Sequence, residues 1–238
     1  MSSEVPGRRG GAQHIPRPGT WRLGAAAPWA HRSTVAGAGD GAVRLDALLD
    51  AVGSRAPARL VPRSIGARNS AVLIVLHDGS DGAEVLFTKR AEHLRDHKGE
   101  MSFPGGRMEP GETAREAALR EAWEEVDLDP ALVRVHGELD HLSTLVSNSY
   151  IVPVVATVST RPALRAHAAE VDRILWVPLD ELARADTYRE EWWGLADQER
   201  AIHFFELDDE TIWGATARIL HQLLRLAHGV DEPEPPAW

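Results

Sequence analysis

The chain contains no cysteine, which excludes disulfides, thiolate zinc sites and a cysteine nucleophile. A reducing setting suits such a sequence, and a cytoplasmic location is the expectation. No apolar run reaches the ~18 residues that a membrane span requires. The arginines near the N-terminus are not followed by an apolar segment, so neither a membrane span nor a secretory signal is expected. A basic body is also lacking: net charge is −10, which disfavours binding along a nucleic-acid backbone. What is present is a chain of 238 residues, 43% of them hydrophobic. That is enough to bury the core of one large domain, or of a domain with an appendage.

Charge is unevenly spread. Residues 1–68 carry ten arginines and four acids, a net +6, whereas the remainder carries 16 basic and 32 acidic side chains. Residues 1–42 are rich in Gly, Pro, Ala and Arg without apolar periodicity, and are expected to form a flexible basic arm, with Trp21 and Trp29 as candidate anchors. Residues 43–230 form the expected domain, and 231–238 an acidic, proline-rich tail. Leu45, Leu48, Leu49 and Val52 share a face of a short helix expected to stop at Gly53. The apolar run Ser70–Leu76 suits a strand buried on both faces and should form a hairpin with Glu84–Thr88. Further strands are expected at 132–137, 150–158, 173–177 and 201–207. Pro153 marks the second of these as an edge strand or a broken one. A final helix should run over about residues 209–226.

The most informative stretch is Gly106 to Leu128. Thr113 and Glu116 have the spacing of a capping box, which places a helix start there. On that helix Glu121, Glu124 and Glu125 share one face while Ala118, Leu119, Ala122, Trp123 and Val126 are expected to fill the opposite side and pack. Crowded carboxylates repel unless a cation sits among them, and all-oxygen donors suit Mg²⁺ or Mn²⁺. Just upstream, Phe103-Pro104-Gly105-Gly106 is a tight turn that lets backbone approach a ligand closely.

With these gaps, Gly106, Glu112, Arg120, Glu121, Glu124 and Glu125 resemble the Nudix box, Gly-x5-Glu-x7-Arg-Glu-u-x-Glu-Glu-x-Gly-u, where u is bulky and apolar. Ala122 is small where that pattern is bulky. Asp127 stands where the final glycine would be, a position with left-handed backbone that Asp tolerates better than most residues. The resemblance implies an α/β fold, a three-layer α/β/α sandwich with a mixed sheet. It also implies hydrolysis of a nucleoside diphosphate linked to another moiety. Divalent ions would be held by Glu121, Glu124 and Glu125 with the carbonyl of Gly106, and Arg120 would orient Glu121. Glu121 or Glu124 ranks first as general base and Glu170 second.

The segment Leu86-Phe-Thr-Lys-Arg-Ala-Glu-His-Leu-Arg-Asp-His-Lys-Gly-Glu-Met-Ser-Phe-Pro-Gly-Gly106 resembles the signature of the coenzyme A diphosphatase branch, departing only at Phe87. Coenzyme A carries a 3′-phosphate besides its pyrophosphate, and Lys89, Arg90, Arg95, His97 and Lys98 are the cations expected to bind it. By that resemblance the products are 3′,5′-ADP and 4′-phosphopantetheine. The alternatives are another Nudix substrate such as ADP-ribose or NADH, and a non-catalytic Nudix binding module, although such modules usually lose box glutamates that are intact here. A homodimer is compatible with the sequence. His93 and His97 are four residues apart but lack the intervening Glu of a zinc helix, and Gly37–Gly41 lacks the Lys-Ser/Thr of a nucleotide loop.

Overall fold

The computed structural model describes residues 9–13, 15–30, 43–55, 58–94, 97–144, 147–195 and 199–230. The larger of its two sheets has eight strands and mixed direction. The hairpin of β2 (Arg68–Gly79) and β3 (Gly82–Arg90) is at its centre, with β2 parallel to β8 (Ser149–Val158) and β3 antiparallel to β9 (Val171–Pro178). Antiparallel to β8 lie β6 (Val133–Glu138) and β7 (Leu142–Thr144). The hairpin pairs only near its turn, over residues 76–79 and 82–85, and then opens into a fork. Two short strands fill the fork: β4 (Met101–Ser102) on β3 and β5 (Gly105–Arg107) on β2.

Alternation along β2 explains why its sequence is apolar without interruption. Ala71, Leu73 and Val75 face Ala117, Ala118, Ala122 and Val126 of helix α2 (Ala114–Val126). Ile74 and Leu76 face the opposite layer, where Leu48 and Val52 of α1 (Leu45–Ser54) meet Leu220 and Leu223 of α4 (Gly214–Ala227). Both sheet faces are therefore covered, giving the expected α/β/α sandwich. Each fully buried aliphatic side chain contributes about 1.5–3 kcal/mol. The α2 face is built of alanines, so the helix backbone sits close to the sheet and its carboxylates close to the fork.

Pro153 does not mark an edge. It pairs with Val72 inside the parallel ladder. On the other side of β8, β7 pairs with residues 149–151 and β6 with 154–158, so Pro153 falls in the gap between them. Its carbonyl there accepts the N–H of Leu139 at 3.0 Å, and its missing donor leaves no ladder bond unmade. Nor does Gly53 end α1, which runs one residue further to Ser54.

The smaller sheet is antiparallel, in the order β1 (Trp21–Leu23), β10 (Tyr188–Trp193), β11 (Arg200–Glu206), β12 (Thr211–Trp213). Its first strand comes from the segment expected to be a flexible arm. The described part of that arm is packed instead: Trp21 pairs with Trp193 and Leu23 with Glu191. Trp29 is 3% exposed, donates its indole N–H to the Ala183 carbonyl at 2.9 Å and packs against Tyr188, Phe205 and His228. The physical reason is that strand pairing and one buried indole outweigh the glycine and proline content. The rest of the arm, residues 1–8, 14 and 31–42, and the tail 231–238 lie outside the described residues. No helix among the described residues is long and apolar enough to cross a membrane. Trp29→Ala is expected to lower stability by about 3–5 kcal/mol, the range for truncating a buried aromatic, measured by urea denaturation.

Candidate active site

The fork of the central hairpin brings a glycine backbone against the acid face of α2. Gly105 pairs with Val72 and Gly106 with Ala71. A Cβ on Gly105 would lie 2.4 Å from the Ala71 carbonyl oxygen, at a φ of +154°. A Cβ on Gly106 would lie 2.5 Å from the carboxyl of Glu121. Only glycine permits either approach. The capping box is formed, with Thr113 Oγ1 accepting from the Glu116 N–H at 3.2 Å and the Glu116 carboxylate accepting from the Thr113 N–H at 2.8 Å. At the other end Asp127 takes left-handed backbone, φ 57° and ψ 30°. Its carboxylate meets the exposed guanidinium of Arg165, a surface pair of little energetic consequence.

Arg120 gathers the acids. Its Nε and Nη2 donate to the two oxygens of Glu112 at 2.9 and 3.0 Å, and Nη1 donates to Glu121 and to Glu124, each at 3.0 Å. Nη2 also donates to the Arg107 carbonyl at 3.0 Å. The pairing with Glu112 holds Arg120 firmly charged and keeps the Glu112 carboxyl below its ordinary range. Glu121 and Glu125 behave differently. Burial raises Glu121, against the opposing pull of Arg120, and the charges of Glu124 and Glu170 raise it further. Burial pushes Glu125 up to about 8, although the Gly105 N–H bonds it at 3.2 Å and Arg90 favours its ionised form. Glu170 is exposed on the loop before β9, with its charge felt by both acids.

Two carboxyls resisting ionisation side by side form a site that lacks positive charge. Among the described residues no three acids or histidines converge into a finished metal cage, because Arg120 draws Glu121 and Glu124 to itself while Glu125 points under Gly105. The donor chemistry, carboxylate oxygens beside a half-buried glycine backbone, nonetheless fits a hard divalent cation.

The expected basic residues do not form one cluster. Strand alternation, with a register shift at Lys89/Arg90, sends the two neighbours apart. Arg90 faces Glu125, and its Nε is buried without a hydrogen-bond partner among the described residues. Lys89 turns to the buried Glu210, 2.9 Å away. His97 bonds Glu100 through Nδ1 at 2.9 Å, Lys98 is exposed, and Arg95 lies outside the described residues. The segment with His93 and His97 is a series of turns, and His93 is directed at the Ala169 carbonyl. A cleft of about 840 Å³ runs beside Arg107, Glu112, Arg120 and Glu121. A second, of about 950 Å³, is bordered by Lys89, His97 and Lys98. Both are lined by Arg68. Sequence reasoning missed Arg68 and Gln13 in these walls, which no local pattern singles out, and it read Trp213 as core, whereas it lines the second cleft.

Comparison with protein families matches the NUDIX domain over residues 67–196. The chain belongs to the Nudix family. Among curated relatives, "Nudix hydrolase 3" of Caenorhabditis elegans is 40% identical over 53% of this chain and 54% of its own. "Nudix hydrolase 22, chloroplastic" of Arabidopsis thaliana is 37% identical over 78% of this chain and 61% of its own. "Peroxisomal coenzyme A diphosphatase ndx-8" of C. elegans is 35% identical over 65% of this chain and 67% of its own. The chain thus spans little more than half the length of the first two. A solved MutT/nudix family protein from Enterococcus faecalis aligns with a TM-score of 0.47 at 18% identity, covering 69% of this chain and 63% of that one.

The raised Glu125 carboxyl gives a signed pH effect. Because its folded value of about 8 lies above the ordinary 4.5, its contribution to metal-free stability is complete below about pH 4.5 and is lost as pH rises through about 8. A divalent ion favours the ionised form and reverses this loss. Thermal melts should therefore show the ion raising Tm more at about pH 8.5 than at about pH 5, a difference that shrinks in Glu125→Gln. Gly106→Ala, which drives a methyl into the Glu121 carboxyl, should weaken ion binding in calorimetric titration by about 10-fold or more.

Proposed function

We propose that the chain hydrolyses the pyrophosphate of coenzyme A or its derivatives, releasing 3′,5′-ADP and 4′-phosphopantetheine or its acyl form. The observation that carries this reading is Arg90: a buried guanidinium nitrogen without a partner among the described residues, beside Glu125, within the segment that resembles the coenzyme A diphosphatase signature. A buried N–H of this kind calls for an acceptor, and a phosphate oxygen is the acceptor that guanidinium geometry fits best. The 35% identity to a protein named a coenzyme A diphosphatase supports the same substrate.

In this reading Glu121, Glu124 and Glu125, with the Gly106 carbonyl, hold Mg²⁺ or Mn²⁺. When bound, the ion supplies neutralisation of phosphate charge and acidifies a water. The chain does the rest. Arg120 fixes the carboxylates of Glu121 and Glu124 in place. Arg90 receives a pyrophosphate oxygen, while Lys98 and Arg95 supply positive charge along the basic loop. Glu121, whose proton affinity burial raises, takes the proton of the attacking water, and Glu170 is the next acceptor in line. The water oxygen bonds to phosphorus as the bridging P–O bond breaks, and the leaving phosphate carries away the electron pair.

Incubation with coenzyme A and Mn²⁺, resolved by chromatography, should yield 3′,5′-ADP. Its absence at high enzyme, or a kcat/KM that favours ADP-ribose or NADH in a substrate panel, would overturn the assignment. Glu125→Gln should lose roughly 100-fold or more of kcat, the scale of losing one charged ligand of a Lewis acid, while retaining its fold by circular dichroism. Wild-type turnover in this variant would refute the metal role of Glu125.

A further inference from the structure

Glu210 is 2% exposed, and its carboxylate is the meeting point of three segments. It accepts from the Lys89 ammonium at 2.9 Å, from the Gln13 side-chain amide at 2.9 Å and from Arg173 at 3.4 Å. Gln13 is itself clipped to the edge strand β12. Its Nε2 donates to the Thr211 carbonyl at 3.3 Å and its Oε1 accepts the Thr211 N–H at 3.2 Å. One side-chain amide thus copies the pairing of a strand backbone. Gln13 and Glu210 both lie outside residues 67–196, the part matched by the NUDIX domain.

All of this borders the larger cleft. Its lining combines Ala12, Gln13 and Pro16 of the arm with Trp213, the cations Arg68, Lys89 and Lys98, and the acids Glu92, Glu100 and Glu210. Lys89 and Lys98 are the only lysines in the chain. A lysine on a free four-carbon stem spreads its charge over many positions, but Lys89 is held by a buried carboxylate. Its side chain keeps 20% exposure toward solvent, and Glu210 accepts only one of its three ammonium hydrogens. The result is a cation fixed in advance at the cleft wall, one strand position from Arg90.

We propose that Gln13 and Glu210 are positioning residues that fix Lys89 to receive a phosphate lying beyond the pyrophosphate, so that the N-terminal arm forms part of the specificity pocket. The proposal rests on the coenzyme A reading, in which the 3′-phosphate is that second anion. Arg90 and the α2 acids would then read the scissile linkage, and the arm-bordered cleft would read what distinguishes this substrate from a simpler nucleoside diphosphate.

The test uses the full-length protein with Mn²⁺. Wild type should cleave coenzyme A with a lower KM than dephospho-coenzyme A. In Gln13→Ala that preference should fall by roughly five- to tenfold, the scale of one charge-assisted hydrogen bond, with the change in KM exceeding the change in kcat. A double-mutant cycle with Lys89→Met should be non-additive, because Gln13 acts through Lys89. Calorimetry reads the same pocket without turnover: 3′,5′-ADP should bind more tightly than 5′-AMP to wild type, and the margin should shrink in both variants. Equal binding of the two nucleotides, or an unaltered margin in well-folded Gln13→Ala, overturns the proposal. Cleavage of coenzyme A without preference over the dephospho form also overturns it and leaves the diphosphatase reading intact. Failure to cleave either compound removes that reading instead, and the nucleotide margin still decides the role of Gln13.

Discussion

The crowding of carboxylates on α2 is the constraint on which the site depends. Glu112, Glu121 and Glu124 gather on Arg120 while Glu125 turns beneath Gly105, where the alanine face of the helix seats it on the sheet and water is partly excluded. Arg120 resolves part of the conflict by taking both oxygens of Glu112 and one each of Glu121 and Glu124. Glu125, behind Gly105, is left with one backbone donor and a raised proton affinity. The arrangement trades stability for a place where positive charge is strongly favoured. The forked hairpin and the glycine pair serve the same end, since a side chain at Gly106 would press on the Glu121 carboxyl and one at Gly105 would press on the β2 backbone.

Much of this was legible in the sequence because the information is local. The capping box at Thr113, the acid spacing and the left-handed Asp127 depend on neighbours three to seven residues away. So does the buried run of β2, whose alternation the two helical layers explain. Pro153 shows where locality ends. Its tolerance depends on two other strands stopping on either side of it, which nothing around residue 153 records. The scattering of the basic loop is of the same kind: Lys89 and Arg90 read as one cluster in sequence, yet a strand places adjacent side chains on opposite faces. The arm misled for a different reason. Its glycine and proline content describes the backbone's freedom, whereas its placement follows from partners near residues 183–213.

On the proposed reading, recognition is divided between two surfaces. The acids, the glycine turn and Arg90 lie within the segment shared with the Nudix family and suit the linkage that is cut. Gln13, Glu210 and Trp213 lie outside it and border the space beyond that linkage.

The pairing of β1 with β10 also has a consequence for the order in which the chain can assemble. Trp21 and its partner Trp193 are separated by most of the polypeptide. During synthesis β1 has no sheet neighbour until β10 emerges, and closing so long a loop is slow. Residues 21–23 therefore take their place in the sheet only after residues 188–193 have been made, after the strands of the larger sheet.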